Sequence, residues 1–195
     1  MKKIFLLLFL YFVSVTNVHA ETVRIISGNK DAKISIIVYE SLTCSHCANF
    51  HKFVYPQLKE EYLDTGLAKI EFRHFPLDMA AFNASKIVQC KNNISTEFGL
   101  KILEALYLNQ QTWIKGNTEK EININLENFL KKEGFIIDFK KCLNNRKIED
   151  FVLNDRIEGS KKFKVNATPT IIINNKKFEK TLNYKNLKNS LEKLI

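Results

Sequence analysis

Cys44-Ser45-His46-Cys47 sets two thiols three residues apart with a histidine between them, and His51 follows four residues on. Such a set can ligate a metal, close a structural bridge or exchange electrons. On the first turn of a helix, unpaired backbone N–H groups and the helix dipole favour a negative charge. A thiolate at Cys44 is stabilised there, with a pKa drawn from about 8.5 to between about 3.5 and 7.5. Cys47, one turn on, lies within reach and points back toward the core. The first thiol attacks and the second resolves. His46 can donate to the Cys44 sulfur or hold positive charge near it, which makes the oxidised pair a stronger oxidant; the bland reading is a solvated residue. His51, almost two turns along, reads as an ordinary half-buried residue without a role. Glu40, just upstream, is either a partly buried carboxylate relaying protons to Cys47 or a rim residue. The four cysteines, Cys44, Cys47, Cys90 and Cys142, could together ligate zinc. The wide separation of Cys90 from Cys142 and the strand-to-helix turn argue against that, so no metal is expected.

The elements that position these residues are legible in the pattern. Ile34 to Tyr39 is β-branched and almost continuously apolar, as a strand buried on both faces should be. From Cys47, apolar residues recur at three and four (Phe50, Phe53, Val54, Leu58, Tyr62), with Pro56 expected to kink the helix and Gly66 to stop it. Leu67 to Phe75 alternates and Pro76 closes it. Strand, helix, strand makes a right-handed parallel unit. Helical stretches are expected at 78–92, 95–109 and 123–133, briefly around Cys142, and from about Lys147 to Lys164. Thr170 to Ile173 reads as a strand, Asn174-Asn175 as a hairpin turn, Lys176 to Phe178 as its partner, and Tyr184 to Leu194 as a final helix. The fold class is therefore α/β: one domain formed by residues 21–77 and 146–195, with an all-helical insertion over 78–145.

Compartment changes the meaning of the cysteines. Met1-Lys2-Lys3, an apolar run from Ile4 to Val15 and the small residue at Ala20 have the three-part layout of a secretory signal peptide over 1–20. The run is short for a membrane span, an uncleaved anchor being the alternative. In an oxidising compartment disulfides persist. Removal of Lys2 and Lys3 lowers the formal charge from +9 to +7. The remaining lysines are scattered, so no nucleic-acid site is expected.

VYESLTCSHCANFH, KIEFRHFPLD and VNATPTIIINNKKF, in this order and around a helical insertion, resemble the DsbA family of thioredoxin-fold thiol–disulfide oxidoreductases. The resemblance covers essentially all of residues 21–195. It implies a cis proline at Pro169, preceded by Thr168, in a loop beside the CxxC where a substrate chain pairs as an added strand. A subset of the family carries a second cysteine pair in the insertion, which implies a Cys90–Cys142 bridge. Two buried free thiols are the alternative. This sequence departs from many members in carrying Ser-His where they carry Pro-His, and Glu40 is not at the spacing of the acidic residue in the best-known members.

The activity implied is disulfide donation from Cys44–Cys47 to exported proteins with free cysteines, in the periplasm. Reoxidation would come from a membrane quinone-linked protein; no dissociable cofactor and a monomer are expected. A disulfide isomerase or reductase, and a redox-inert chaperone-like binding module, are the alternatives.

Overall fold

The computed structural model describes residues 22–195, so the signal-peptide reading of residues 1–20 lies outside the described residues. Five strands form one sheet in the order β1-β3-β2-β4-β5: β1 (Ile25–Gly28), β2 (Ile34–Glu40), β3 (Ala68–His74), β4 (Thr170–Ile173) and β5 (Lys176–Lys177). The central pair, β2 and β3, is parallel, with Ile36 opposite Ile70 and Glu40 opposite His74. On their outer sides β4 runs antiparallel to β2, and β1 antiparallel to β3. The fold is thioredoxin-like with a helical insertion. The edge strand β1 is not expected from the sequence, because four residues ending at Gly28 are too few to display an alternation.

The helix after Cys44 and Cys47 is not a single α-helix. It runs as α1 (Ser45–Asn49), a π-helical turn over Phe50–Val54, α2 (Tyr55–Leu58) and a second π-helical turn over Lys59–Leu63. A proline inside an α-helix lacks one N–H and collides with the carbonyl four residues back. Here the Tyr55 N–H bonds Phe50 O, five residues back, so the widened turn directly precedes Pro56. The expected kink is thus a π turn.

Between β3 and α8 (Arg146–Phe163) lie α3 (Met79–Asn92), α4 (Thr96–Leu108), α5 (Gln110–Trp113), α6 (Glu119–Lys132) and α7 (Phe139–Leu143). Helix α6 begins four residues before the expected start, capped by Thr118, whose hydroxyl accepts from the Glu121 N–H. The short α5 is not expected at all. Chain order closes with α9 (Tyr184–Leu191), capped by Asn183, and a 3-10 turn over Glu192–Leu194.

Strand parity decides the layers. Ile34, Ile36 and Val38 face the main core with Phe50, Leu58, Ile70, Phe72 and, from the insertion, Ile87, Ile102 and Leu106. Ile37 and Tyr39 face the other way, against Phe75, Val165 and Ile172. The main core is therefore shared by sheet and insertion, and the insertion is held at a defined place beside α1. Among the described residues no helix is long and apolar enough to cross a membrane.

Candidate active site

Strand β2 ends at Glu40, and the chain turns once, with the Cys44 N–H donating to Ser41 O at 3.0 Å, before α1 begins. Cys44 is the N-cap of α1 with extended backbone (φ −78°, ψ 119°). Its thiol is half-buried and that of Cys47 fully buried, and both are free. The segment leading into α3 steadies the turn: Thr43 Oγ1 donates to Asp78 Oδ2 at 2.7 Å, and the Leu77 N–H to Ser41 Oγ at 3.2 Å.

The two thiols are driven apart in acidity. Cys44 is lowered to about 5, first by the Cys47 thiol donating to its sulfur, then by the Thr168 hydroxyl and the N–H groups of Cys47 and His46, against an opposing contribution from burial. Cys47 is pushed far up, first by burial, then by its bond to Cys44 and by the negative charge of Glu40. At neutral pH the pair is a Cys44 thiolate beside a Cys47 thiol. His46 acts through its backbone N–H; its ring is exposed and, among the described residues, makes no hydrogen bond to the Cys44 sulfur.

The Thr168–Pro169 bond is cis, and the protonated Cys44 thiol donates to Thr168 O at 3.2 Å. Thr168 and Pro169 line a groove with His46, Phe50, Phe53 and Leu182. Phe53 is largely exposed in it. An extended chain lying there would have an apolar wall and would pass Thr168, whose carbonyl oxygen is the partner of the Cys44 thiol.

Beneath Cys47, His51 lies deeper than expected and Glu40 takes the buried one of its two alternatives. Glu40 is a buried residue rather than a rim one, and His51 is buried rather than half-buried, each 3% exposed. They are bonded to one another, His51 Nε2 to Glu40 Oε2 at 2.9 Å. The His51 ring stacks on Tyr107 of the insertion, with centroids 4.1 Å apart and planes 13° from parallel. Burial, then the Glu40 charge, holds the Tyr107 hydroxyl neutral. Two local signals pointed here: Glu40 has the strand parity of Ile34, Ile36 and Val38, and His51 stands four residues after the inward-facing Cys47. Tyr107 had no such signal.

Cys90 of α3 and Cys142 of α7 are joined in a disulfide, Cα to Cα 5.6 Å, and neither is among the groove-lining residues. Among the described residues no three His, Cys, Asp or Glu side chains converge as a metal site.

A buried strand feeding a CxxC helix, with a cis proline beside it, agrees with the sequence comparison: residues 20–193 match the family model described as thioredoxin. The chain belongs to the thioredoxin family. Within that family its fold is close to α-DsbA1 of Wolbachia pipientis, with a TM-score of 0.77 and 30% identity over 88% of this chain and 90% of that one. A Rickettsia bellii protein provisionally named a protein-disulfide oxidoreductase is 30% identical over 150 residues, 75% of this chain and 55% of that protein. Disulfide bond formation protein D of Bacillus subtilis is 23% identical over 180 residues, 85% of this chain and 74% of that protein. The chain spans about half the length of the Rickettsia relatives it matches.

Proposed function

We propose that this thioredoxin-family protein is a DsbA-type thiol–disulfide oxidoreductase that donates its Cys44–Cys47 disulfide to exported proteins with free cysteines, in the periplasm. The observation that carries the reading is the division of acidity between the two thiols, with Cys44 drawn to about 5 and the buried Cys47 pushed up. A disulfide whose reduced form is stabilised as a Cys44 thiolate is easily reduced, so the oxidised form is a strong oxidant.

The cycle balances as two exchanges. A substrate thiolate attacks Cys44 Sγ; the Cys44–Cys47 bond breaks, and Cys47 leaves with the electron pair. Glu40 and His51, bonded beneath it, are the groups able to return a proton to Cys47. A second substrate thiolate then attacks the substrate sulfur of the mixed disulfide and expels Cys44 as the stable thiolate. The substrate leaves with one disulfide, and two electrons remain on the enzyme. A membrane quinone-linked protein removes them. Thr168 and Pro169 hold the substrate chain against Cys44, the Cys90–Cys142 bridge staples the insertion without turning over, and the protein works as a monomer after loss of residues 1–20.

The test is trapping together with equilibration against glutathione. Cys47→Ser should accumulate mixed disulfides through Cys44, Cys44→Ser should accumulate none, and the wild-type pair should lie at the oxidising end of the glutathione scale. Trapping through Cys47, or a pair as reducing as a reductase, would overturn the reading.

A further inference from the structure

The nucleophile's turn has a third attachment, this one to the insertion. Gln110, the first residue of α5, is buried, and its side-chain Nε2 donates to Leu42 O at 2.7 Å and to Cys44 O at 3.0 Å. Both amide hydrogens are spent on backbone carbonyls of the turn that carries Cys44. The opposite amide orientation would set an oxygen against two oxygens, so the network itself assigns it.

The element behind Gln110 is firmly seated. Trp113 of the same short helix is fully buried, and its Nε1 donates to Leu106 O at 2.9 Å. Asn109 Nδ2 caps back to Ala105 O, and the Ile114 N–H returns to Gln110 O at 2.9 Å. Gln110 thus reaches across from a fixed platform, 66 residues along the chain from Cys44.

The two bonds differ in what they do. The Leu42 carbonyl, on a buried residue, has no other hydrogen-bond donor among the described residues, so for it Gln110 satisfies a polar group that would otherwise be orphaned. The Cys44 carbonyl already accepts the Ala48 N–H at 3.1 Å as the first intrahelical bond of α1. Its second bond supplies direction rather than rescue. Together they hold the peptide planes after Leu42 and after Cys44, and the second of those planes begins α1.

We propose that Gln110 is a positioning residue for the Cys44 nucleophile, a clamp from the helical insertion that holds the start of α1 so that the N–H groups of its first turn stay aimed at the Cys44 sulfur. The inference rests on Cys44 being the attacking thiol. It also gives the insertion a part in the chemistry: helix α5 sets the acidity of a thiol that belongs to the other part of the fold.

The experiment titrates the Cys44 thiolate by its ultraviolet absorbance in reduced protein carrying Cys90→Ala and Cys142→Ala, so that no other disulfide is opened, and measures the glutathione equilibrium of the same samples. Gln110→Met keeps the side chain's length and removes both donors; Gln110→Ala removes the side chain. Thr112→Ala, an exposed position on the same short helix, is the control. Both Gln110 variants should raise the Cys44 titration midpoint by about one pH unit and weaken the oxidised form by about tenfold, with Thr112→Ala unchanged. Gln110→Met is the deciding variant if Gln110→Ala fails to fold. A Gln110→Met protein that melts at lower temperature but titrates like the wild type would overturn the proposal, leaving Gln110 a partner for the Leu42 carbonyl and nothing more. An equal shift in Thr112→Ala would overturn it too. The titration reads Cys44 directly, so its outcome is separable from the functional reading, which the wild-type glutathione equilibrium tests.

Discussion

Acidifying the reduced protein should remove a stabilisation that resides on one sulfur. Cys44 has a pKa of about 5 in the fold, against about 8.5 for an unfolded cysteine. Because the folded value is depressed, the contribution is complete above the unfolded pKa and is lost as pH falls through the folded one. At about pH 7 the gap to the folded value is about two units, or about 2.7 kcal/mol favouring the reduced fold at 1.36 kcal/mol per unit. Cys44 is only half-buried, and solvent screening cuts this to about 1–2 kcal/mol. At about pH 4 both states are protonated and almost nothing is left. Other groups also titrate: burial lowers the pKa of His74, so its protonation on unfolding destabilises the protein in acid. Comparison with Cys44→Ser cancels such effects. Both proteins should carry Cys90→Ala and Cys142→Ala, so that reductant acts on Cys44 and Cys47 alone. Urea unfolding at several pH values should then show the reduced Cys44 protein losing about 1–2 kcal/mol relative to Cys44→Ser between about pH 7 and pH 4. A difference that stays flat across that range would refute the low-pKa thiolate and, with it, the strongly oxidising pair.

Two further outcomes follow from other parts of the fold. The Cys90–Cys142 bridge spans 52 residues of sequence, and on the chain-entropy model removing it should lower unfolding stability by about 3–4 kcal/mol; the Cys44 titration should stay where it is, since neither cysteine is among the groups acting on that sulfur. Gly159 of α8 lies against Tyr39, where an added Cβ would meet the ring at 2.7 Å. Tyr39 is fully buried and cannot yield, so Gly159→Ala should destabilise by about 1–3 kcal/mol in thermal or urea unfolding.

What the sequence by itself determined is whatever rests on short-range spacing. The apolar run Ile34 to Tyr39, the thiols at Cys44 and Cys47 and the alternation before Pro76 depend on periods of two and 3.6 residues, which local chain geometry imposes wherever the strand or helix forms. Tertiary structure decided whatever rests on contacts between distant segments. Edge strand β1 is a strand because β3 offers it a ladder, and its four residues carry no period of their own. The depth of Glu40 depended on which sheet face α1 would cover, and its partner His51 on where the π turn would rotate the helix. Tyr107 and Gln110 reach the site only because the insertion shares the main core with the sheet, which brings α4 and α5 beside α1. Burial then does the chemical work: the same thiol spacing in water would leave two ordinary cysteines, whereas desolvation of Cys47 and directed donors at Cys44 separate their acidities.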